Sequence, residues 1–353
     1  MIKTGKKFSL FCIIGILFVL MINASIIYYT DPFFHYHKPY DWISYTLNNQ
    51  RYQNNGILRN FDYDAIITGT SMVENFRTSE FDKIFDAASV KTCFSGASYK
   101  EINDNLSKAL SYNPKVKYIV RCLDSDKILD SYDYMKDFDY PIYLYDDLLY
   151  NDVNYVLNKT VFFNSAIQTI EKSIDKKKST TFDDYSAWYK RYKFGKEEVL
   201  KTYSRINQKN EVSFSDSKKE NINKTITQNV TDLASQYPTT NFYIFFPPYS
   251  IYYWDGQLLR GTLKTRLEAI EYAMSLLVEY DNIHVYSFMN EYDIITNLDN
   301  YKDFIHYSEK INSQMLIWMK EGHDLITKDN YKDYMQKVIK YYTEFNYDSL
   351  EVK

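Results

Sequence analysis

The chain has 353 residues, 45% of them hydrophobic and 25% charged, a balance that supports a sizeable core and argues against bulk disorder. A formal net charge of −4 leaves no strongly basic face, which argues against nucleic acid as a partner. The 37 Tyr and 22 Phe suit a sugar-stacking groove, but a general bias toward Asn, Lys, Ile and Tyr explains them more simply.

Lys3, Lys6 and Lys7 precede an uncharged apolar run from Phe8 to Ile27. Twenty residues at ~1.5 Å each span roughly 30 Å, the thickness of a hydrocarbon core. The lysines hold the N-terminus on the cytoplasmic side, so everything after Tyr28 is expected outside the cell membrane, with the chain single-pass. Ile22-Asn23-Ala24 before Ser25 also reads as a signal-peptide cleavage site, but the run is longer than a usual signal core and favours a retained anchor. The expected organisation is an anchor over 1–28, a connector over 29–60, a main domain over 61–325 and a C-terminal helix with a tail over 326–353.

Strand and helix patterns then alternate, which predicts α/β layering. Short apolar strands are expected at Ala65–Thr68, Val90–Phe94, Val116–Val120, Asn241–Phe246 and Ile283–Tyr286. Helices are expected at Glu101–Leu110, Arg266–Tyr280, Ser308–Lys320 and Tyr331–Phe345. The stretch from about 125 to 215 breaks this rhythm, with one helix expected over Asn154–Ile174. It reads as an insertion between the third and fourth strands, a lid or a docking element.

Gly69-Thr70-Ser71 ends the first strand. A glycine permits a tight turn there, and the serine would project from the carboxyl edge of the sheet, where such folds place ligands. Taken alone, Ser71 reads as an ordinary helix cap. Asp303-Phe-Ile-His306 follows the last strand. That spacing lets a carboxylate fix an imidazole tautomer while the other ring nitrogen takes a proton from serine. Taken alone it is a surface cap. Of the other histidines, His284 lies in a strand, His35 and His37 precede the domain and His323 follows its last helix.

Together, Gly69-Thr70-Ser71, Ser95-Gly96-Ala97-Ser98 after the second strand, and Asp303-Phe304-Ile305-His306 resemble the SGNH/GDSL hydrolase family, over about residues 62–322 with the insertion excepted. The resemblance implies a flavodoxin-like doubly wound parallel sheet of about five strands. It implies Ser71 as nucleophile, His306 as base and Asp303 as its orienting carboxylate, with the backbone N–H groups of Ser71 and Gly96 in the oxyanion hole. The family's Gly-x-Asn-Asp motif is replaced by Arg121-Cys122-Leu123-Asp124, so the oxyanion-donating Asn is missing; Asp124 is expected to hold Arg121 or a substrate hydroxyl, or to be structural.

With the N-terminal anchor, this departure is similar to the cell-envelope branch that includes the D-alanyl-lipoteichoic-acid transfer and alginate O-acetylation proteins. That branch implies an acetyl or D-alanyl esterase or transferase acting on a surface glycan or teichoic acid, beside a membrane-bound O-acyltransferase. A non-catalytic scaffold for polymer or acyltransferase is the competing expectation. Tyr249 and Trp254, after the fourth strand, would form a sugar-binding wall or pack a loop. The family's sheet order places Cys93 and Cys122 on strands flanking the first, roughly two ~4.8 Å spacings apart, too far for a bridge. Free thiols are expected. No cofactor or metal is expected, because no ligand spacing, phosphate loop or dinucleotide fingerprint occurs.

Overall fold

The computed structural model describes residues 2–135 and 140–351, with side chains from residue 5 onward. The Lys3 side chain, residues 136–139 of the expected insertion and residues 352–353 of the tail lie outside the described residues. The chain divides into two compact units, residues 1–61 with 138–181, and residues 62–137 with 182–353.

The first unit is built on helix α1 (Ile2–Thr30). Its segment Gly5–Thr30 is long and apolar enough to cross a membrane, a property a signal sequence shares. Ile27 at its end packs with Phe33, Leu144, Tyr145, Tyr155, Val161 and Ala166 in a small apolar core. After α1 the chain turns at Asp31, whose buried carboxylate accepts from the N–H groups of His35, Tyr36 and His37 and from the Tyr155 hydroxyl. Helix α2 (Gln50–Asn60) follows, and Gln53 from it donates to the carbonyls of Pro32 and Thr46. Residues 29–60 are packed structure, tied to 140–181. The helix expected over Asn154–Ile174 is broken near Asn158. Its side chain accepts from the N–H groups of Thr160 and Val161 and so caps a new start.

The second unit carries a mixed sheet with order β2-β1-β3-β4-β5-β6. Strands β1 (Ala65–Gly69), β2 (Ser89–Cys93), β3 (Tyr118–Cys122), β4 (Asn241–Phe246) and β5 (Ile283–Ser287) are parallel. Their residues are nearly all buried, as expected when helices cover both faces. The sixth, β6 (Leu325–Ile326), runs antiparallel to β5; two residues are too few to register as a strand pattern in sequence. Strand β3 begins two residues later than expected because Tyr118 pairs with Ala65 and sets the register. Helix 309–321 packs on helix 78–85, while helix 263–277 packs between 216–226 and 331–344. The chain leaves β1 toward β2 on one side and returns to β3 on the other. The carboxyl ends of β1 and β3 therefore form the topological switch point, where such sheets open a crevice. Cys93 and Cys122 lie on β2 and β3, either side of β1, and both are buried thiols outside any disulfide.

Candidate active site

Strand β1 ends at Gly69 with φ +150°, a conformation that disfavours other residues, and a Cβ there would press within about 3 Å of Val73 and Cys122. The chain then turns into a single 3-10 turn, Ser71–Val73. Ser71 is its first residue and is half-buried.

The loop after β5 brings Asp303 and His306 to this point. The Ser71 hydroxyl lies 2.8 Å from His306 Nε2. His306 Nδ1 lies 2.8 Å from Asp303 Oδ2 and 3.0 Å from Oδ1. Asp303 Oδ1 also accepts from the backbone N–H groups of Ile305 and His306. Burial by itself would raise the Asp303 carboxyl, but the His306 ring and these two N–H groups outweigh it and hold it down at about 2. Nδ1 facing a carboxylate is the protonated nitrogen, which leaves Nε2 as the acceptor toward the serine hydroxyl.

Four ties brace the Asp303–His306 loop, two of them to the serine loop. Tyr301 pairs with Tyr307 across the Asp303–His306 turn. The Tyr307 hydroxyl and the Asn312 amide both donate to the Met72 carbonyl, one residue past Ser71. Ser250 donates to the Phe304 carbonyl at 2.6 Å. The serine loop is also held from β2, where the fully buried Lys91 ammonium donates to the carbonyls of Glu74 and Phe76. Burial lowers that amine to about 8.

Gly96 sits in a four-residue turn closed by the Ala97 N–H on the Phe94 carbonyl, at a φ of +67°. Neither the Ser71 nor the Gly96 backbone N–H donates to an acceptor among the described residues. Both turns follow parallel strands, at the carboxyl edge of the sheet.

Asp124 lies on the same edge but does not face a ligand. It is 5% exposed. The Thr70 hydroxyl donates to its Oδ2 and the Tyr249 hydroxyl to its Oδ1, both at 2.6 Å. Burial raises its pKa, and the two hydroxyls only partly oppose this. The expectation that Asp124 holds Arg121 or a substrate is corrected. Arg121 turns to the carbonyls of Asn229 and Tyr99, and both Asp124 oxygens are taken by protein hydroxyls. Tyr249 and Trp254 are also buried, so they form no open sugar-binding wall. Tyr249 stacks near Tyr253, and Trp254 lies between Tyr253 and Tyr342. A phenol that donates to a buried carboxylate and an indole enclosed by two rings are packing elements.

Two residues of the site were not anticipated. Trp188 came from the stretch read as an insertion. Its backbone N–H donates to Asn75, its indole N–H points at the Ser71 carbonyl at 3.4 Å, and its ring meets the His306 ring edge-on at 5.6 Å. The Lys302 ammonium sits 4.4 Å from the Trp188 ring centre and 4.2 Å from that of Tyr192, and 3.5 Å from Asp303 Oδ2. Adjacency of Lys302 to Asp303 is the single sequence signal that pointed here; nothing local marks Trp188.

Away from this edge, Glu291, His323 and Asp324 bring three ligand-type atoms within 4.8 Å of one another, a convergence that sequence spacing hid. The His323 ring nitrogen lies 2.8 Å from Glu291 and 3.3 Å from Asp324, which are ion-pair contacts.

A scan against protein families gives no match, and a search of curated proteins gives none. Among solved structures the chain is similar to one from Streptococcus pneumonia, named provisionally as a platelet activating factor. The identity is 14% and the TM-score 0.35, over 81% of this chain and 90% of that one.

Proposed function

We propose that this chain is an extracytoplasmic serine acyl-esterase or O-acyltransferase of the SGNH type, held at the membrane by α1. The observation that carries the reading is the continuous relay from Ser71 through His306 to Asp303, with both links at 2.8 Å. Ser71 Oγ attacks an acyl carbonyl while its proton passes to His306 Nε2. The imidazolium so formed is held by the ionised Asp303 and then returns that proton to the leaving oxygen. The backbone N–H groups of Ser71 and Gly96 receive the developing oxyanion. Water or a polymer hydroxyl next attacks the acyl-serine while His306 takes its proton; the acyl–Oγ bond then breaks and His306 returns that proton to Ser71 Oγ. An acetyl or D-alanyl group on a cell-surface glycan or teichoic acid is the substrate class that the sequence resemblance favours, with a membrane-bound O-acyltransferase as partner.

A non-catalytic scaffold for polymer or acyltransferase is the second reading. One observation favours it: where the SGNH/GDSL motif carries its oxyanion-donating Asn, this chain has Leu123, and the neighbouring Asp124 only accepts.

Full-length protein in detergent, treated with a fluorophosphonate probe and read by intact mass, tests the proposal. Stoichiometric labelling of Ser71, lost in Ser71→Ala and His306→Ala, is the expected result. Folded wild-type protein that takes no label would move the reading to the scaffold.

A further inference from the structure

Within the first unit, the last two turns of α1 line one wall of an open-sided pocket of about 470 Å³. That is the size range of small-ligand sites, about 300–1,000 Å³. Ile26 and Tyr29 of α1 face Trp42, Ile43, Ile170 and Ile174 across it. Two of the hydroxyls along the wall are turned away. Thr30 donates to the Ile26 carbonyl and Ser173 to the Thr169 carbonyl, each within its own helix. A ligand therefore meets mainly hydrocarbon and aromatic faces, with few polar groups among them.

Depth identifies the occupant. Twenty residues counted from Phe8 end at Ile27, and a bilayer's hydrocarbon core is roughly 30 Å thick, so Ile26 and Tyr29 stand at its outer boundary. Residues along α1 below them, such as Phe11 and Phe18, are exposed apolar side chains that lipid would cover. The mouth carries the aromatic belt usual at that depth. Trp42 is 74% exposed and stacks on Tyr40 at 5.6 Å, and Tyr28 at the end of α1 reaches Tyr40 through the His37 ring. A wall of α1 thus runs without a break from the bilayer-facing surface into the pocket. The end of α1 is also built into the unit. The Asn23 amide donates to the Val156 carbonyl at 2.7 Å, and cleavage after Ala24 would sever that tie.

We infer that this pocket holds one alkyl chain of a bilayer lipid, drawn up from the outer leaflet alongside α1. The inference rests on the membrane-anchored reading above and is independent of the serine chemistry.

The test uses full-length protein in phosphatidylglycerol vesicles doped with the same lipid carrying a diazirine in one acyl chain. Vesicle flotation and intact mass are read on the same sample. After irradiation, adducts are expected on Ile26, Trp42 and Ile170 as well as on the outer face of α1. Ile170→Trp fills the pocket, and Ile174→Arg places a charge at its exposed mouth without touching the core. Either should lower the pocket adducts about tenfold, the loss that ~1.4 kcal/mol of contact represents. Adducts at Phe11 and Phe18 should stay unchanged. Full-length protein that floats but carries adducts only on α1, or pocket adducts that neither variant lowers, would overturn the lipid site and leave the anchor standing. A shortened chain that does not float would overturn the anchor and the site together.

Discussion

Two loops on one sheet edge each carry an aspartate, and their surroundings drive them in opposite directions. After β3, Asp124 is enclosed and meets two neutral hydroxyls, so burial prevails and its pKa rises. After β5, Asp303 is also largely buried, yet an imidazole and two backbone N–H groups converge on it and bring it to about 2. Hydroxyls offset the desolvation of a carboxylate only in part. A ring that becomes cationic offsets it in full. The first carboxylate suits a structural pin behind the serine, and the second suits a permanent anion beside a base.

The largest effect should come from removing that anion. Asp303→Asn should slow fluorophosphonate labelling of Ser71 by on the order of 10³–10⁴-fold with the fold retained, because the amide no longer enforces the tautomer. Labelling at the wild-type rate would remove Asp303 from the relay. Next, Asp124→Ala leaves the Thr70 and Tyr249 hydroxyls buried without an acceptor. The expected loss is about 3 kcal/mol, read as a lower melting temperature in detergent. Asp124→Asn keeps an acceptor and should lose much less.

The pH dependence of stability should separate the two carboxylates by sign. Asp303 is depressed from an ordinary value of 3.8 to about 2, so its stabilisation is full above about 4 and fades as pH falls through 2. Asp124 is raised, so its folded form binds a proton more readily than the unfolded chain. Its contribution should weaken as pH rises from about 4 through its folded value. Melting curves of wild type against Asp303→Asn and Asp124→Asn across acid pH should therefore diverge in opposite directions; parallel curves would show that the environments do not differ as described. Smaller again, Trp188→Ala removes the ring contact on His306, worth about 0.5–1.5 kcal/mol, and should slow labelling about three- to tenfold. Lys302→Met, which ends the contact with the Trp188 and Tyr192 rings, should change it by about twofold to threefold.

Much of this edge could be read from the chain. Apolar runs ending in Gly69, and the Asp303-x-x-His306 spacing, announce their turns because strand termination and a three-residue reach are local properties. Asp124 could also be located, but not its role. Whether a carboxylate faces solvent, a ligand or two hydroxyls depends on Thr70 and Tyr249, which lie 54 and 125 residues away. Tyr249 and Trp254 misled for the same reason, since an aromatic cluster after a strand looks alike whether it lines a groove or fills a core. The two-residue strand Leu325–Ile326 has no period to detect.

By itself the sequence determined the apolar N-terminal helix, the alternating strands and helices, and the residue types that could form a relay, since each depends on neighbours within a turn or a strand. Only the tertiary structure decided that residues 29–61 and 140–181 share one unit, that Trp188 stands against His306, and that Asp124 is pinned by hydroxyls. Those outcomes are set by contacts between segments 54 or more residues apart, for which no local pattern is required.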